Sequence, residues 1–303
     1  METILVTGAS GFVGENLIRR LVQQKNTTVL ALYRKIPEKS IQNEQIHQIQ
    51  ANLENYQETL LLLSKYKITA VYHLASMSVV RECDNNPQAA YRTNVLGTIN
   101  LLECLRTTQG ETLRKVVATS TCRVYKDSTI PCDEQTVESP EDTYSFTKMC
   151  QDVICKNYYE NYSLPINIVR LSNVYGPGDK TLSRLIPATI TAVREGKAPT
   201  VYSSVQDNKV DFVYIDDVTE AILTVCEKAD PGELFCVGSG RSASILSVVE
   251  KISTLLNSSL ETKIIESSHK KELGRHINIT KLTALGWSPK IDLDEGLKRS
   301  TSL

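Results

Sequence analysis

Tyr144 and Lys148 are the pair of residues in this sequence whose types and spacing point most directly to chemistry. They stand four positions apart on a predicted helix, so their side chains share one face about one turn apart. A phenol with a pKa of about 10 is a poor base at neutral pH, but a nearby ammonium stabilises the phenolate and lowers that pKa. Tyr144 could then exchange a proton with an alcohol while a hydride moves to or from a nicotinamide ring. Alone, such a pair is more often ordinary helix surface.

A glycine-rich turn near the start of the chain is the second candidate. It spans Gly8–Gly14, between a predicted strand and a predicted helix. Because glycine has no side chain, backbone N–H groups and the helix N-terminus can approach a pyrophosphate. A lone turn of this kind is weak evidence, but its place after the first strand favours dinucleotide binding. The residues assigned to the cofactor here are Gly8, Gly11, Phe12, Val13 and Gly14.

The end of the second predicted strand bears on which dinucleotide is bound. NAD-binding chains usually place a carboxylate there for the ribose 2′-hydroxyl, whereas this chain has Arg34 and Lys35. Two cations suit a 2′-phosphate, so NADP(H) is favoured and NAD(H) stays possible; a solvated loop is the plain alternative. Asn52 and Leu53, after the third predicted strand, are also assigned to the cofactor, although Asn52 could equally be a turn residue.

Strand-like and helix-like stretches alternate through the first half of the chain. Apolar runs predict strands, and apolar residues at helical spacing predict helices. The predicted strands are 3–7, 28–32, 46–50, 70–74, 116–119 and 166–171, and the main helices are 13–23, 58–64, one from 87, and 144–159. Strands this apolar require cover on both faces, which predicts a doubly wound, Rossmann-type α/β fold with a parallel sheet. The predicted dinucleotide-binding domain is 1–172 plus about 208–229, and the predicted smaller, discontinuous substrate lobe is about 173–207 and 230–303.

Composition excludes several classes of protein. The 303 residues carry 34 Lys and Arg against 35 Asp and Glu, a net charge of −1, so no global basic field attracts nucleic acid or an anionic membrane. No apolar run has the roughly 18 to 20 residues of a membrane span, and no leader is visible, so a cytoplasmic location is expected. The eight cysteines form no CxxC or Cys/His grouping, which predicts reduced thiols and no metal site.

Further motifs lie in order along nearly the whole chain. Besides the features above, they are 72–75, 93–98, the strand ending at Thr121, 170–178, 211–218 and 285–287. With them the sequence resembles the extended short-chain dehydrogenase/reductase family, in its branch of NAD(P)-dependent nucleotide-sugar epimerases and dehydratases.

The resemblance implies a role for each matching position. It makes Thr121 the hydroxyl that hydrogen-bonds the reacting oxygen, Tyr144 the acid/base, and Lys148 the residue that binds the nicotinamide ribose and tunes Tyr144. Asn94 matches an asparagine that braces the site. The remaining positions assigned by resemblance are Leu74 and Ala75 for the cofactor and Ser76, Cys122, Arg123, Asn173, Arg184, Lys209 and Arg275 for a nucleotide-diphosphate sugar. The resemblance also implies a homodimer formed by the helices of Asn94 and Tyr144 as a four-helix bundle.

One departure from the family's motifs separates the possible reactions. Related 4,6-dehydratases carry Asp-Glu or Asp-Lys directly after the threonine, where this chain has Cys122 and Arg123. Arginine does not deprotonate in proteins, so dehydration is disfavoured, although Cys122 beside Arg123 could act as a base. The favoured hypothesis is an NADP(H)-linked 4-keto-sugar reductase or dehydrogenase. The alternatives are a UDP-glucose/galactose-type 4-epimerase with retained NAD and a non-catalytic dinucleotide sensor; the base and the sugar stay open.

Overall fold

The elements of the fold follow the predicted alternation of strands and helices. The computed structural model describes residues 2–128, 130–267 and 274–302. The strands are β1 (Glu2–Thr7), β2 (Thr27–Tyr33), β3 (Ile46–Gln50), β4 (Ala70–His73), β5 (Lys115–Thr121), β6 (Ile166–Leu171), β7 (Asn173–Tyr175), β8 (Thr200–Tyr202), β9 (Lys209–Tyr214), β10 (Leu234–Val237), β11 (Ser242–Ser244) and β12 (Lys263–Ile265). The helices are α1 (Phe12–Leu21), α2 (Tyr56–Leu63), α3 (Val80–Asn85), α4 (Pro87–Tyr91), α5 (Gly97–Thr108), α6 (Thr143–Tyr162), α7 (Leu185–Arg194), α8 (Ile215–Lys228), α9 (Ile245–Leu255), α10 (Thr280–Ala284) and α11 (Leu293–Thr301). A π-helical turn, Arg92–Leu96, joins α4 to α5.

A seven-stranded sheet in the order β10-β6-β5-β4-β1-β2-β3 forms the centre of the fold. The ladders of β1 with β2 and β4, of β2 with β3, and of β4 with β5 are parallel. In this register Leu5 lies opposite both Leu30 and Val71, and all three side chains are fully buried. Parallel strands end at a common edge, so the loops after β1, β2, β4 and β5 emerge together. The predicted doubly wound α/β fold is confirmed.

The helix that follows the π-helical turn covers the sheet with an apolar stripe. Leu101, Leu102 and Leu105 of α5 are fully buried, because positions three and four apart share one side of a helix. They belong to one core cluster with Leu5 of β1 and Val116 of β5. The strands are covered on their faces as their apolar sequences require.

Two compact units divide the chain. The first comprises Met1–Val124, Glu138–Arg170 and Thr219–Phe235, and the second comprises Tyr125–Val137, Leu171–Val218 and Cys236–Leu303. The predicted boundaries placed 125–137 and 208–218 with the first domain and 230–235 with the lobe. The difference arises from strand pairing. β9 lies between β11 and β7 in a separate three-stranded sheet and β10 joins the central sheet, while Cys132 forms an isolated bridge with Ile277 of the second unit.

The second unit is built on small sheets and a buried tryptophan. Its β9 strand is antiparallel to β11 and parallel to β7, and β8 pairs with β12 in a two-stranded parallel sheet. Trp287 is buried, and its indole N–H donates to the Asp217 carbonyl at 3.1 Å. The Asp217 carboxylate accepts the backbone N–H groups of Lys290 and Ile291, both at 3.0 Å, which attaches the chain before α11 to the start of α8.

All eight cysteines are free thiols, and six of them are buried. The described ranges contain no helix that is long and apolar enough to cross a membrane. In the same ranges, no group of three or more His, Cys, Asp or Glu side chains is arranged to hold a metal ion.

Candidate active site

The helix of Tyr144 and Lys148 begins at a capping box. The Asp142 carboxylate accepts the Ser145 backbone N–H at 2.8 Å, and the Ser145 hydroxyl accepts the Asp142 N–H at 3.2 Å. Arg123 donates to the same carboxylate at 2.8 Å. Although burial opposes it, the bonds from Ser145 and the charge of Arg123 hold the pKa of Asp142 below its usual value. Arg123, predicted to contact substrate, thus braces the first turn of α6, which carries Tyr144; its substrate contact stays a prediction.

Lys148 lies one turn beyond Tyr144 and is almost completely buried, with 2 % of its surface exposed, whereas Tyr144 is half-buried. Burial lowers the pKa of Lys148 to about 8, against the opposing charge of Asp152. The ammonium donates to the side-chain oxygen of Gln151 at 2.7 Å. Desolvation disfavours the charged form, while the charge of Asp152 favours it and the hydrogen bond to Gln151 gives the ammonium an acceptor.

Thr121 and Cys122 stand at the carboxyl end of β5. Both are buried, and the Thr121 hydroxyl oxygen accepts the Arg123 backbone N–H at 3.2 Å. The Cys122 thiol donates to the Arg170 carbonyl at 3.2 Å. The thiol therefore packs against β6, and the hydroxyl of Thr121 lies at the sheet edge where such folds bind ligands.

Asn94 connects the loop after β4 to α6, the helix of Tyr144 and Lys148. Its side-chain oxygen accepts the Met77 N–H at 2.7 Å and the Ser76 hydroxyl at 3.2 Å. Its amide donates to the Met77 carbonyl at 3.0 Å and to the Thr147 hydroxyl at 2.8 Å. Asn94 belongs to the π-helical turn, a distortion that is frequent at functional sites. The bracing role expected for Asn94 has a geometric basis here, and Ser76 is held beside it.

His73, which the sequence analysis did not assign to the site, lies at the end of β4 in a chain of buried hydrogen bonds. The Thr7 hydroxyl accepts the N–H groups of Leu74 and Ala75, so its own proton is left for His73 Nδ1 at 2.8 Å. Thr98 gives its proton to the Asn94 carbonyl, so it accepts from His73 Nε2 at 2.9 Å. This assigns the Nε2–H tautomer of a neutral ring. Burial and the nearby Lys148 lower the pKa of His73 to about 3.

The low pKa of His73 predicts acid sensitivity of the fold. The unfolded chain binds a proton at His73 below a pH of about 6.5, and the folded chain does not until a pH of about 3, so stability falls as pH drops through this window. We expect the free energy of unfolding in urea to lose about 2 kcal/mol between pH 7 and pH 5 through this group. His73→Gln should flatten that dependence, and the exposed-residue control His47→Gln should leave it unchanged. If the free energy of unfolding changed equally with pH in wild type and His73→Gln, the assignment of a low pKa to His73 would be contradicted.

The glycine turn is shaped so that no side chain fits at its two ends. Gly8 has φ of +70°, and a Cβ there would lie 2.7 Å from the Ala75 nitrogen. A Cβ on Gly14 would collide with the Gly8 carbonyl oxygen. Gly11 caps α1 without a side-chain hydrogen bond, which leaves the first N–H groups of the helix available to an anion. This backbone cradle fits the pyrophosphate of a dinucleotide.

Gly14→Ala is expected to damage this cradle. The added methyl group must displace the backbone of Gly8, so we expect about 1–3 kcal/mol of lost stability and a weaker affinity for NAD(P). Gly97→Ala is the matched control, because within its helix the added Cβ would make only ordinary contacts, with Leu53 at 3.5 Å and the Arg92 carbonyl oxygen at 3.7 Å. Urea unfolding and dinucleotide titration by calorimetry measure both variants. Equal behaviour of the two would show that the turn tolerates a side chain.

The other predicted cofactor residues lie at neighbouring strand ends. Arg34 and Lys35 are exposed directly after β2. Asn52 closes a turn after β3 by accepting the N–H of Glu54 at 3.1 Å. Leu53 is buried, and its carbonyl accepts the Asn100 side chain at 2.8 Å. The structure thus places all four residues just after these strands, while their contacts to a cofactor stay predictions.

The remaining predicted substrate residues belong to the second unit. Asn173 donates to the Asp211 carbonyl at 2.9 Å, and Lys209 is exposed. Two predicted cations are already paired: Arg184 with Asp179 at 3.0 Å, and Arg275 with Asp127 at 2.8 Å and with the Tyr125 carbonyl at 2.8 Å. A phosphate would have to compete with these carboxylates, and binding by these four residues stays a prediction.

Comparison with known proteins identifies relatives over the whole chain. Residues 4–238 match the model of the NAD dependent epimerase/dehydratase family. A dTDP-D-glucose 4,6-dehydratase from Mus musculus is 26% identical over 99% of this chain and 87% of its own length. A UDP-glucuronate 4-epimerase from Thermodesulfobacterium geofontis is 28% identical over 100% and 96%. The crystal structure of a UDP-glucuronic acid 4-epimerase from Bacillus cereus, in complex with UDP-glucuronic acid and NAD, has a TM-score of 0.89 at 26% identity, covering 99% of this chain and 98% of that one.

Proposed function

Because this chain belongs to the NAD-dependent epimerase/dehydratase family of enzymes, we propose that it acts at C4 of a nucleotide-activated hexose as a 4-epimerase. The observation that carries the proposal is the placement of Thr121 at the end of β5 with Tyr144 and a buried Lys148 on α6. These are the groups that proton exchange at a sugar hydroxyl requires.

Each residue of the site has a separate task in this proposal. The glycine turn would hold a dinucleotide, whose nicotinamide would supply the acceptor and donor of a hydride at C4. Thr121 binds the C4 oxygen through its hydroxyl. Tyr144 removes the proton from that oxygen and gives it back after the sugar has turned its other face. Lys148 stabilises the Tyr144 phenolate through its positive charge.

The surroundings of Thr121 argue against dehydration. Elimination at C5 and C6 needs a further base and acid. Cys122 packs against the Arg170 carbonyl, and Arg123 is bound to the capping carboxylate of Asp142. Neither supplies a carboxyl group for the elimination, although dehydratases are among the relatives.

A 4-epimerase replaces the reductase as our first hypothesis for two reasons. Relatives that match the chain over its full length include 4-epimerases, one of them crystallised with its nucleotide sugar and NAD. An epimerase also needs no more than the three groups described, because oxidation and reduction use the same proton-transfer residue. An NADP(H)-linked reductase is the second candidate, and it is favoured by the exposed cations Arg34 and Lys35 after β2.

The experiment that separates the candidates starts with the purified protein. Acid release should yield NAD, and incubation with UDP-glucose or UDP-glucuronate should give the C4 epimer by proton NMR without added dinucleotide. Consumption of added NADPH by a 4-keto sugar, with no retained NAD, would establish the reductase instead. A 4-keto-6-deoxy product would overturn both candidates, and tight dinucleotide binding without turnover would indicate a sensor.

We also propose a homodimer formed by α5 and α6. Several large apolar side chains on this part of the surface are at least 37% exposed: Leu96, Ile99, Phe146 and Val153. Covering such a patch with a second copy removes apolar surface from water. Light scattering should give twice the 33.8 kDa mass. Val153→Arg should yield a monomer. The control Leu61→Arg, on the exposed side of α2, should stay dimeric. A monomeric wild type would refute the dimer.

A further inference from the structure

The ammonium of Lys148 is held by a neutral side chain that no sequence motif assigned. Gln151 is fully buried on α6, one turn beyond Lys148. Its carbonyl oxygen accepts the Lys148 ammonium at 2.7 Å, and its amide donates to the Thr119 carbonyl on β5 at 3.0 Å. Both ends of the carboxamide are therefore used, and the strand fixes the direction in which Gln151 presents its oxygen.

Asp152 is the charged group that acts most strongly on Lys148, and one oxygen of its carboxylate is bonded to other residues. The Asp152 carboxylate accepts the buried Arg170 guanidinium at 2.9 Å and the Ser120 hydroxyl at 2.9 Å. Arg170 thus shares the negative charge that would otherwise balance Lys148 alone. The direct hydrogen bond to the ammonium that the structure shows comes from the uncharged Gln151.

The other titratable groups that face Lys148 are uncharged at neutral pH. They are Cys155 on α6, Cys83 on α3 and His73 on β4. Burial raises the pKa of Cys83 to about 11 and that of Cys155 further, and it keeps His73 neutral. The charge that acts on Lys148 from its surroundings is therefore that of Asp152, which Arg170 shares.

We propose that Gln151 is a positioning residue for Lys148: its carboxamide, held by β5, orients the ammonium and supports its charge without neutralising it. A carboxylate at this position would hold the ammonium as firmly, but it would cancel the positive charge on which the Tyr144 phenolate depends. An apolar residue would leave a buried ammonium without its acceptor, and the proton would be lost at lower pH. The inference rests on the role proposed for Lys148.

Two substitutions at position 151 test the two properties of the carboxamide. Gln151→Met has a similar size and removes both hydrogen bonds, whereas Gln151→Glu keeps an acceptor and adds a charge. Gln109→Met is the matched control, because Gln109 is also buried and bonds the Ile68 N–H and the Leu63 carbonyl within the core. Lysines labelled with ¹³C at Cε report the titration of Lys148 by NMR, with its signal assigned from Lys148→Met.

We expect the midpoint of the Lys148 titration to fall by about one pH unit in Gln151→Met, equivalent to about a tenfold loss of proton affinity. In Gln151→Glu the midpoint should rise. For each variant, the alkaline limb of the pH profile of kcat should move in the same direction as the titration midpoint. At pH 8 we expect kcat of Gln151→Met to fall about fivefold, because the protonated fraction of Lys148 falls from about one half to about one eleventh, with the KM of the nucleotide sugar unchanged. Gln109→Met should unfold at lower urea concentration than wild type. Its Lys148 titration midpoint and the alkaline limb of its kcat profile should stay at the wild-type values.

The outcomes separate this inference from the proposed function. An unchanged Lys148 midpoint in folded Gln151→Met, checked by circular dichroism, would overturn the positioning role. The NMR titration needs no substrate, so shifted midpoints in a protein that turns over no nucleotide sugar would leave the role of Gln151 intact and refute the function. If both variants turn over the nucleotide sugar and the alkaline limb of the pH profile of kcat is unchanged, the role of Gln151 is refuted and the proposed function is not.

Discussion

Tyr144→Phe is expected to lower kcat on the nucleotide sugar by about 10²- to 10⁴-fold, because it removes the hydroxyl that exchanges the proton at C4. The ring remains, so the half-buried packing of Tyr144 on α6 and the backbone cradle for the dinucleotide should be unchanged. The thermal midpoint and the dissociation constant for NAD should therefore stay close to wild type. The loss of kcat is measured by quantifying the product sugar by NMR in samples quenched at fixed times.

Tyr162→Phe is the matched control for this prediction. Tyr162 lies at the other end of α6, half exposed, with the Arg106 guanidinium over its ring at 5.3 Å. Removing that hydroxyl should leave kcat within about twofold of wild type. If Tyr144→Phe kept nearly full turnover, the proton would have to travel through another residue, and the assignment of the site would be wrong.

Arg170→Leu is expected to cause the largest loss of stability. The guanidinium is buried on β6 and bonds Asp152 at 2.9 Å and Glu138 at 2.6 Å. Burial already raises the pKa of Asp152 against the charge of Arg170. Removing one partner of a buried ion pair leaves the other charge uncompensated, at a cost of about 3–5 kcal/mol. Urea unfolding at pH 7 measures this loss.

Two further variants identify the source of that loss. Glu138 is 38% exposed at its side chain, so Glu138→Gln should cost no more than about 1 kcal/mol. The double variant Arg170→Leu/Asp152→Leu should recover part of the loss, because no charge is then left buried. The loss in the free energy of unfolding of Arg170→Leu should also be smaller at acidic pH, because Asp152 then takes up a proton and no charge is left buried. A fully stable Arg170→Leu would mean that water reaches Asp152.

Local patterns were sufficient to predict the order of the main elements. The strands 46–50 and 166–171 have the predicted bounds, and the glycine turn lies between β1 and α1 as predicted. These features depend on residues close together in the chain, since apolar runs and helical spacing are local properties. The strand β10 was not predicted, because its place in the sheet comes from pairing with β6, which is distant in the chain.

The doubly wound fold, the family, and the placement of Tyr144 and Lys148 on one helix face follow from the sequence alone. The surroundings of Lys148 do not: they include the neutral His73, the Gln151 carboxamide, and an Asp152 carboxylate shared with Arg170. The charge state of Lys148 depends on burial and on how residues of β4, β5 and β6 hold the side chains next to it on α6. No local pattern encodes desolvation, and desolvation is what lowers the pKa of Lys148 to about 8.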